Sequence, residues 1–200
     1  MKRPGRRKNG AGGFTLLEVV VAMTLLTLVL ANLYMIFGDS SRAITRKTAQ
    51  YDTEVEARRV LDRIAMAVIG AELDTLEVPN SAPNSSSEID YSVNLGVQSG
   101  AIVWSSGRRI AHQNDHEVEW RENPGEPDER HAVWTRASAK FLEGEISNGI
   151  DDNGNGLIDE RGLSFEVQGK MVVIRITIEK PGPEGTLSTK TLETRVTCRN

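Results

Sequence analysis

Gly12-Gly13-Phe14-Thr15-Leu16-Leu17-Glu18-Val19-Val20-Val21-Ala22-Met23 opens the longest apolar run of the chain and sets a carboxylate just inside its start. From Val19 to Gly38 twenty consecutive residues carry no charge. As a helix rising about 1.5 Å per residue, that run spans roughly 30 Å, the thickness of a hydrocarbon core, and it predicts a membrane-spanning segment. Ahead of it stand Lys2, Arg3, Arg6, Arg7 and Lys8 with no acid among them; the remaining 19 Lys and Arg side chains face 28 Asp and Glu. Positive charge on the N-terminal flank predicts a cytoplasmic leader, with everything beyond Asp39 across the membrane. The acidic balance of the body argues against nucleic-acid binding there.

A basic leader followed by an apolar run also begins a secretory signal peptide. Here the run exceeds the usual apolar region of such a signal, and Ala31-Asn32-Leu33-Tyr34-Met35-Ile36-Phe37 offers no A-x-A cleavage site. Lys8-Asn9-Gly10, after the Arg6-Arg7 pair, lacks the apolar positions of a twin-arginine signal, so the pair reads as positive-inside charge. Cys198 is the only cysteine, which excludes an internal disulfide and leaves it the part of a small buried residue.

A short basic leader ending in glycine, then Phe-Thr-Leu-Leu-Glu and an apolar helix, resembles the class III leader of type IV pilins and type II secretion pseudopilins. The resemblance is specific over GFTLLEVVVAM and covers residues 10 to about 40. It implies that a prepilin peptidase cuts between Gly13 and Phe14 and methylates the new amino terminus of Phe14. Glu18 becomes the fifth residue of the mature chain, and in the family this acid is held to neutralise the amine of a neighbouring subunit during assembly. That role supplies a reason for a carboxylate whose burial in lipid costs ~2.5–3.5 kcal/mol or more when uncompensated. The competing reading is a glutamate that snorkels to the interface near a helix start.

No proline interrupts residues 14–78, and Val55, Leu61, Ile64, Val68 and Ala71 keep a three-four spacing beyond the membrane. One helix is therefore expected to run on, membrane-embedded over 14–38 and amphipathic over 39–78, roughly 95 Å long if continuous. Asn80 to Ser87 is a loop by composition. Short strand-like runs follow at Ile89–Val93, Ala101–Trp104, Glu117–Trp120, Ala132–Trp134 and Leu163–Val167. From Met171 to Lys180, Val172, Ile174, Ile176 and Ile178 share one face; a turn at Pro181–Gly185 and a strand at Leu187–Cys198 complete a terminal β-hairpin. The expected fold is α+β, a long N-terminal helix covering one face of an antiparallel sheet, which is also the pilin architecture. The expected divisions are a leader (1–13), a transmembrane half-helix (14–38), an amphipathic half-helix (39–78) and an extracytoplasmic β-rich domain (79–200). Within the family, VEARRVLDRIAMAVIGAEL, the size and the final strand look most like J-type minor pseudopilins and W-type minor pilins.

Asn148-Gly149-Ile150-Asp151-Asp152-Asn153-Gly154-Asn155-Gly156-Leu157-Ile158-Asp159-Glu160 sets oxygen side chains at alternate positions, with Gly156 at a sharp turn and Ile158 as an apolar anchor. It resembles a calcium loop of the EF-hand or dockerin kind, with Asp151, Asn153 and Asn155 as side-chain ligands, the Leu157 carbonyl, and Asp159 direct or through water. At the twelfth position Gly162 replaces the bidentate acid, so Glu160 or Asp152 must substitute. The competing reading is a solvated Asx/Gly turn. His112 and His116 have the i, i+4 spacing of two zinc ligands on a helix but lie in a polar, loop-like stretch without cysteine. No phosphate loop, nucleophile motif or HExxH is present, and Trp104, Trp120 and Trp134 fall at strand positions expected to pack in a core, so no enzyme is expected. The resemblance implies a minor pseudopilin or pilin subunit of the inner membrane. Its implied partners are prepilin peptidase, other pilins and the inner-membrane assembly platform. The alternative is a membrane-anchored, calcium-stabilised binding domain that never polymerises.

Overall fold

In a computed structural model, residues 15–79 and 82–198 are described; Gly13 and Phe14 lie outside them. The elements are α1 (Leu16–Ile69), a 3-10 turn (Leu73–Thr75), β1 (Glu88–Tyr91), β2 (Asn94–Gln98), β3 (Ala101–Trp104), β4 (Arg108–Gln113), β5 (Glu117–Glu122), β6 (Arg130–Thr135), β7 (Leu163–Gln168), β8 (Met171–Pro181), a second 3-10 turn (Pro183–Gly185) and β9 (Leu187–Thr197). One long N-terminal helix with antiparallel sheets is the expected α+β, pilin-like architecture. The chain divides between Thr45 and Arg46 into two units, so the membrane-length part of α1 and its continuation belong to different bodies.

From Leu16 on, the first unit is helix. Its apolar window has no buried residue, and Leu16, Tyr34, Met35 and Phe37 are exposed by 85%, 82%, 66% and 72%. Its polar residues satisfy themselves: the hydroxyls of Thr24 and Thr27 donate to the carbonyls of Val21 and Thr24 at 2.8 Å, and the Asn32 amide donates to Leu28 O at 2.8 Å. Such back-bonding satisfies a polar side chain within the helix itself, without a partner from outside.

In the second unit, α1 buries Thr53, Ala57, Val60, Leu61, Ile64 and Val68, a stripe at three-four spacing. The stripe starts earlier than the sequence suggests: Val55 is half-buried, and Thr53 takes the core position with its hydroxyl satisfied by Ala49 O (2.9 Å) and Ser188 Oγ (3.0 Å). The helix stops at Ile69, short of the expected Val78. Beyond Gly70, Ala71 bridges to Val93, and Glu77 and Asp90 exchange both backbone hydrogen bonds at 2.9 Å. Capture by the sheet, rather than a strong local stop, ends the helix.

The helical stripe packs against two sheets, one ordered β1-β4-β5-β6 and one β7-β8-β9; β2 and β3 form a separate hairpin. The first sheet contributes Ile89, Tyr91, Ile110 and Val118 to the core, the second Leu163, Phe165 and the even-numbered face of β8. The terminal hairpin stands in register from Met171↔Thr197 to Pro181↔Leu187, as the alternation predicts. Strand β8 is buried on its other face too, where Val173, Arg175 and Thr177 are at most 8% exposed. The segment after β6 covers that face: Ala139 N–H donates to Thr177 O at 2.9 Å and Glu143 N–H to Thr177 Oγ1 at 3.2 Å. Trp120 and Trp134 pack partly buried against the core, the Trp120 indole donating to Tyr91 OH at 3.0 Å; Trp104 lies half-exposed outside it. Cys198 is a free, buried thiol, as expected.

Candidate functional site

The candidate residues fall in two places, the start of α1 and the acidic loop before β7. At the start of α1, Thr15 caps the helix: its Oγ1 accepts the Glu18 N–H at 3.2 Å while its carbonyl accepts the Val19 N–H at 3.2 Å. Thr15-Leu16-Leu17-Glu18 has the spacing of a capping box, and an acid in the first turn also faces the positive end of the helix dipole. Sequence reasoning assigned Glu18 and passed over Thr15, although the T-x-x-E spacing was there to read. Glu18 itself is exposed, and no Lys or Arg occurs between residue 15 and residue 38, so any neutralising cation must come from outside this run.

The loop after β6 folds back by its own side chains. Asp151 Oδ1 accepts the N–H groups of Gly154 (2.6 Å) and Asn155 (3.1 Å), and its Oδ2 accepts that of Gly156 (2.8 Å). Asn153 Oδ1 accepts the Asn155 N–H at 3.0 Å, and Asn155 Oδ1 the Leu157 N–H at 2.9 Å. Gly156, at φ 91°, takes the left-handed conformation the turn requires. Asp159 turns toward the start of the loop, receiving the N–H groups of Asn148 (2.9 Å) and Gly149 (3.0 Å), and Leu157 is buried. Among the described residues no group of three or more His, Cys, Asp or Glu side chains stands placed to hold a metal ion.

Two acids of this region are buried, Glu160 fully and Glu145 to 5% exposure. The backbone sets them side by side: Leu142 N–H donates to Glu160 O at 3.0 Å, and a turn returns the chain so that Glu145 N–H donates to Leu142 O at 3.0 Å. Burial, then the nearby Glu145 charge, pushes the Glu160 carboxyl above its ordinary value, against the Asn155 amide that donates to it. Gly162 is fixed sterically, because a Cβ there would stand 1.7 Å from the Ala139 carbonyl oxygen. No side chain, acidic or otherwise, fits at the loop's twelfth position.

The polar stretch around His112 is strand, not loop. His112 ends the buried run Ile110-Ala111-His112 of β4, whereas His116 is exposed in the turn to β5, so the pair shares no helix face. The charges that made β4 look loop-like are cross-strand partners: Arg109 holds Asp90 through two bonds of 2.7 and 2.6 Å, and Arg108 holds Glu122 at 3.0 Å. Burial, then the Arg161 guanidinium at 3.4 Å from Nδ1, lowers the His112 imidazole to about 4.

Residues 8–31 match the profile of the prokaryotic N-terminal methylation motif. No curated protein and no solved structure matches the chain. The motif is that of a pilin- or pseudopilin-type precursor and implies processing by prepilin peptidase; families with this motif are structural subunits. Its described part coincides with the start of α1, and a single N-terminal apolar helix is compatible with a single-pass membrane anchor.

Proposed function

We propose that this chain is the precursor of a minor pilin or pseudopilin, cut between Gly13 and Phe14, N-methylated on Phe14, and built into a type II secretion pseudopilus or a type IV pilus. The carrying observation is that a methylation motif over residues 8–31 leads into a helix whose apolar window is wholly unburied within its own chain. Exposed Leu, Val and Met at that density each lose ~1.5–3 kcal/mol by facing water, so the segment needs lipid before assembly and neighbouring apolar helices after it. The basic leader supports a cytoplasmic N-terminus in the inner membrane, with the β-rich unit on the far side. The assembly platform would then receive the subunit from the bilayer. Size and the terminal hairpin support a J-type or W-type subunit, of low abundance in the filament.

In this reading Glu18 pairs with the amine of a neighbour's Phe14. Glu18→Ala should leave cleavage intact, because the scissile bond precedes it, while incorporation into sheared filaments or isolated tip complexes drops at least about tenfold, the effect of about 1.4 kcal/mol on an assembly equilibrium. Wild-type incorporation of Glu18→Ala would remove the pairing role. Thr15→Ala, which removes only the cap, serves as the control for helix fraying.

A further inference from the structure

Five buried side-chain N or O atoms among the described residues lack a hydrogen-bond partner, and two of them are the Oε2 atoms of Glu145 and Glu160. Each carboxylate is anchored to the loop through its other oxygen. Glu145 Oε1 accepts the Asn153 N–H at 3.0 Å, and Glu160 Oε1 accepts the Asn155 amide at 2.5 Å. Two buried acids are thus held by adjacent turns of one loop, with one oxygen apiece left over. The cation that acts on Glu160, Arg175, is already engaged, its Nε by Glu193 at 2.8 Å and its Nη1 by Glu166 at 3.1 Å. An unpaired buried carboxylate is expensive, and two that repel each other more so, unless something positive joins them.

We propose that Glu145 and Glu160 are the carboxylate ligands of a calcium ion held against the 151–157 turn. All-oxygen donors select a hard cation. Two carboxylates set by an irregular loop, with water completing the shell, suit the flexible six-to-eight coordination of calcium better than the strict octahedron of magnesium. The set differs from the sequence expectation in a definite way. Gly162 cannot carry the terminal acid, and Glu145, fifteen residues before Glu160 and outside the loop's alternating pattern, takes its place. Asp159 instead shapes the entry of the loop through Asn148 and Gly149. Because Glu143, two residues from Glu145, is bonded to Thr177 of β8, the ion fastens the whole 142–160 excursion to the sheet it covers. The site stands whether or not the chain assembles.

The test is calorimetric titration of the full-length chain in detergent micelles, stripped with chelator and then given calcium chloride, alongside Glu145→Gln, Glu160→Gln and Asp159→Asn. Wild type should bind one calcium with Kd at or below about 1 mM, the weak limit for extracellular sites, and melt at higher temperature when loaded. Each glutamine variant should bind at least about tenfold more weakly, and Asp159→Asn should stay within about threefold of wild type. Magnesium at the same concentration should not compete. Absence of both heat and melting shift for wild type at about 10 mM calcium would overturn the proposal. Undiminished binding by both glutamine variants would also overturn it, assigning the ion to Asp151, Asn153, Asn155 and Asp159. Should one glutamine variant fail to fold, the other, compared with Asp159→Asn, decides the ligand assignment.

Discussion

Ile64→Ala probes how the second unit is held together. Ile64 is fully buried on the helical stripe, in the cluster that joins α1 to residues of both larger sheets. Truncation removes three carbon atoms, a transfer loss of about 2.4 kcal/mol at ~0.8 kcal/mol per methylene. Neighbours from α1 and from both sheets cannot all collapse onto an alanine, so a residual cavity brings the total toward about 3–5 kcal/mol. At about 2–4 °C per kcal/mol for a domain of this size, the melting temperature should fall by roughly 10 °C. Circular dichroism of the full-length chain in detergent measures it, with Leu26→Ala as the contrast. Leu26 is 57% exposed in the first unit and should leave the melting temperature within about 1 °C. An Ile64→Ala protein that melts with wild type, or a Leu26→Ala protein that loses as much, would refute the assignment of residues 46–69 to the core and of the earlier helix to the outside.

The depressed imidazole of His112 gives a pH dependence whose sign follows from protons bound. Below the unfolded value of 6.5 the unfolded chain protonates while the folded one, at about 4, does not, so stability is complete above pH 6.5 and declines down to pH 4. The loss reaches about 3 kcal/mol, and the difference between wild-type and His112→Gln melting profiles isolates it; parallel profiles across that window would contradict the buried, neutral imidazole. Arg175→Ala should destabilise by about 3 kcal/mol, since its largely buried guanidinium holds Glu166 and Glu193, whereas Arg58→Ala, on the exposed helix face with Glu54, should melt with wild type. Equal effects of the two in thermal unfolding would deny that burial separates them.

What the sequence made legible follows how local each determinant is. Val172, Ile174, Ile176 and Ile178 alternate without interruption, so β8 and its hairpin could be read directly. The apolar run from Val19 and the spacing of Leu61, Ile64 and Val68 are equally local. Strand β4 was hidden because Arg108, Arg109 and His112 break the apolar alternation, and their partners Glu122, Asp90 and Arg161 lie elsewhere in the chain. Strand β2 was hidden because Asn94–Gln98 is exposed throughout and pairs only with β3. The end of α1 depends on Ser92 and Val93, more than twenty residues downstream, which accept and bridge the chain after Gly70. Nothing local in the sequence marks Glu145; only the return from Leu142 to Glu160 buries it near a second carboxylate.

The mature amino terminus tests the central claim most directly. Expressed beside an active prepilin peptidase, purified from the membrane fraction and analysed by mass spectrometry, the chain should begin at N-methyl-Phe14, with residues 1–13 absent. An intact basic leader, or cleavage at any bond other than Gly13–Phe14, would contradict the assignment of this chain as a pilin-type precursor.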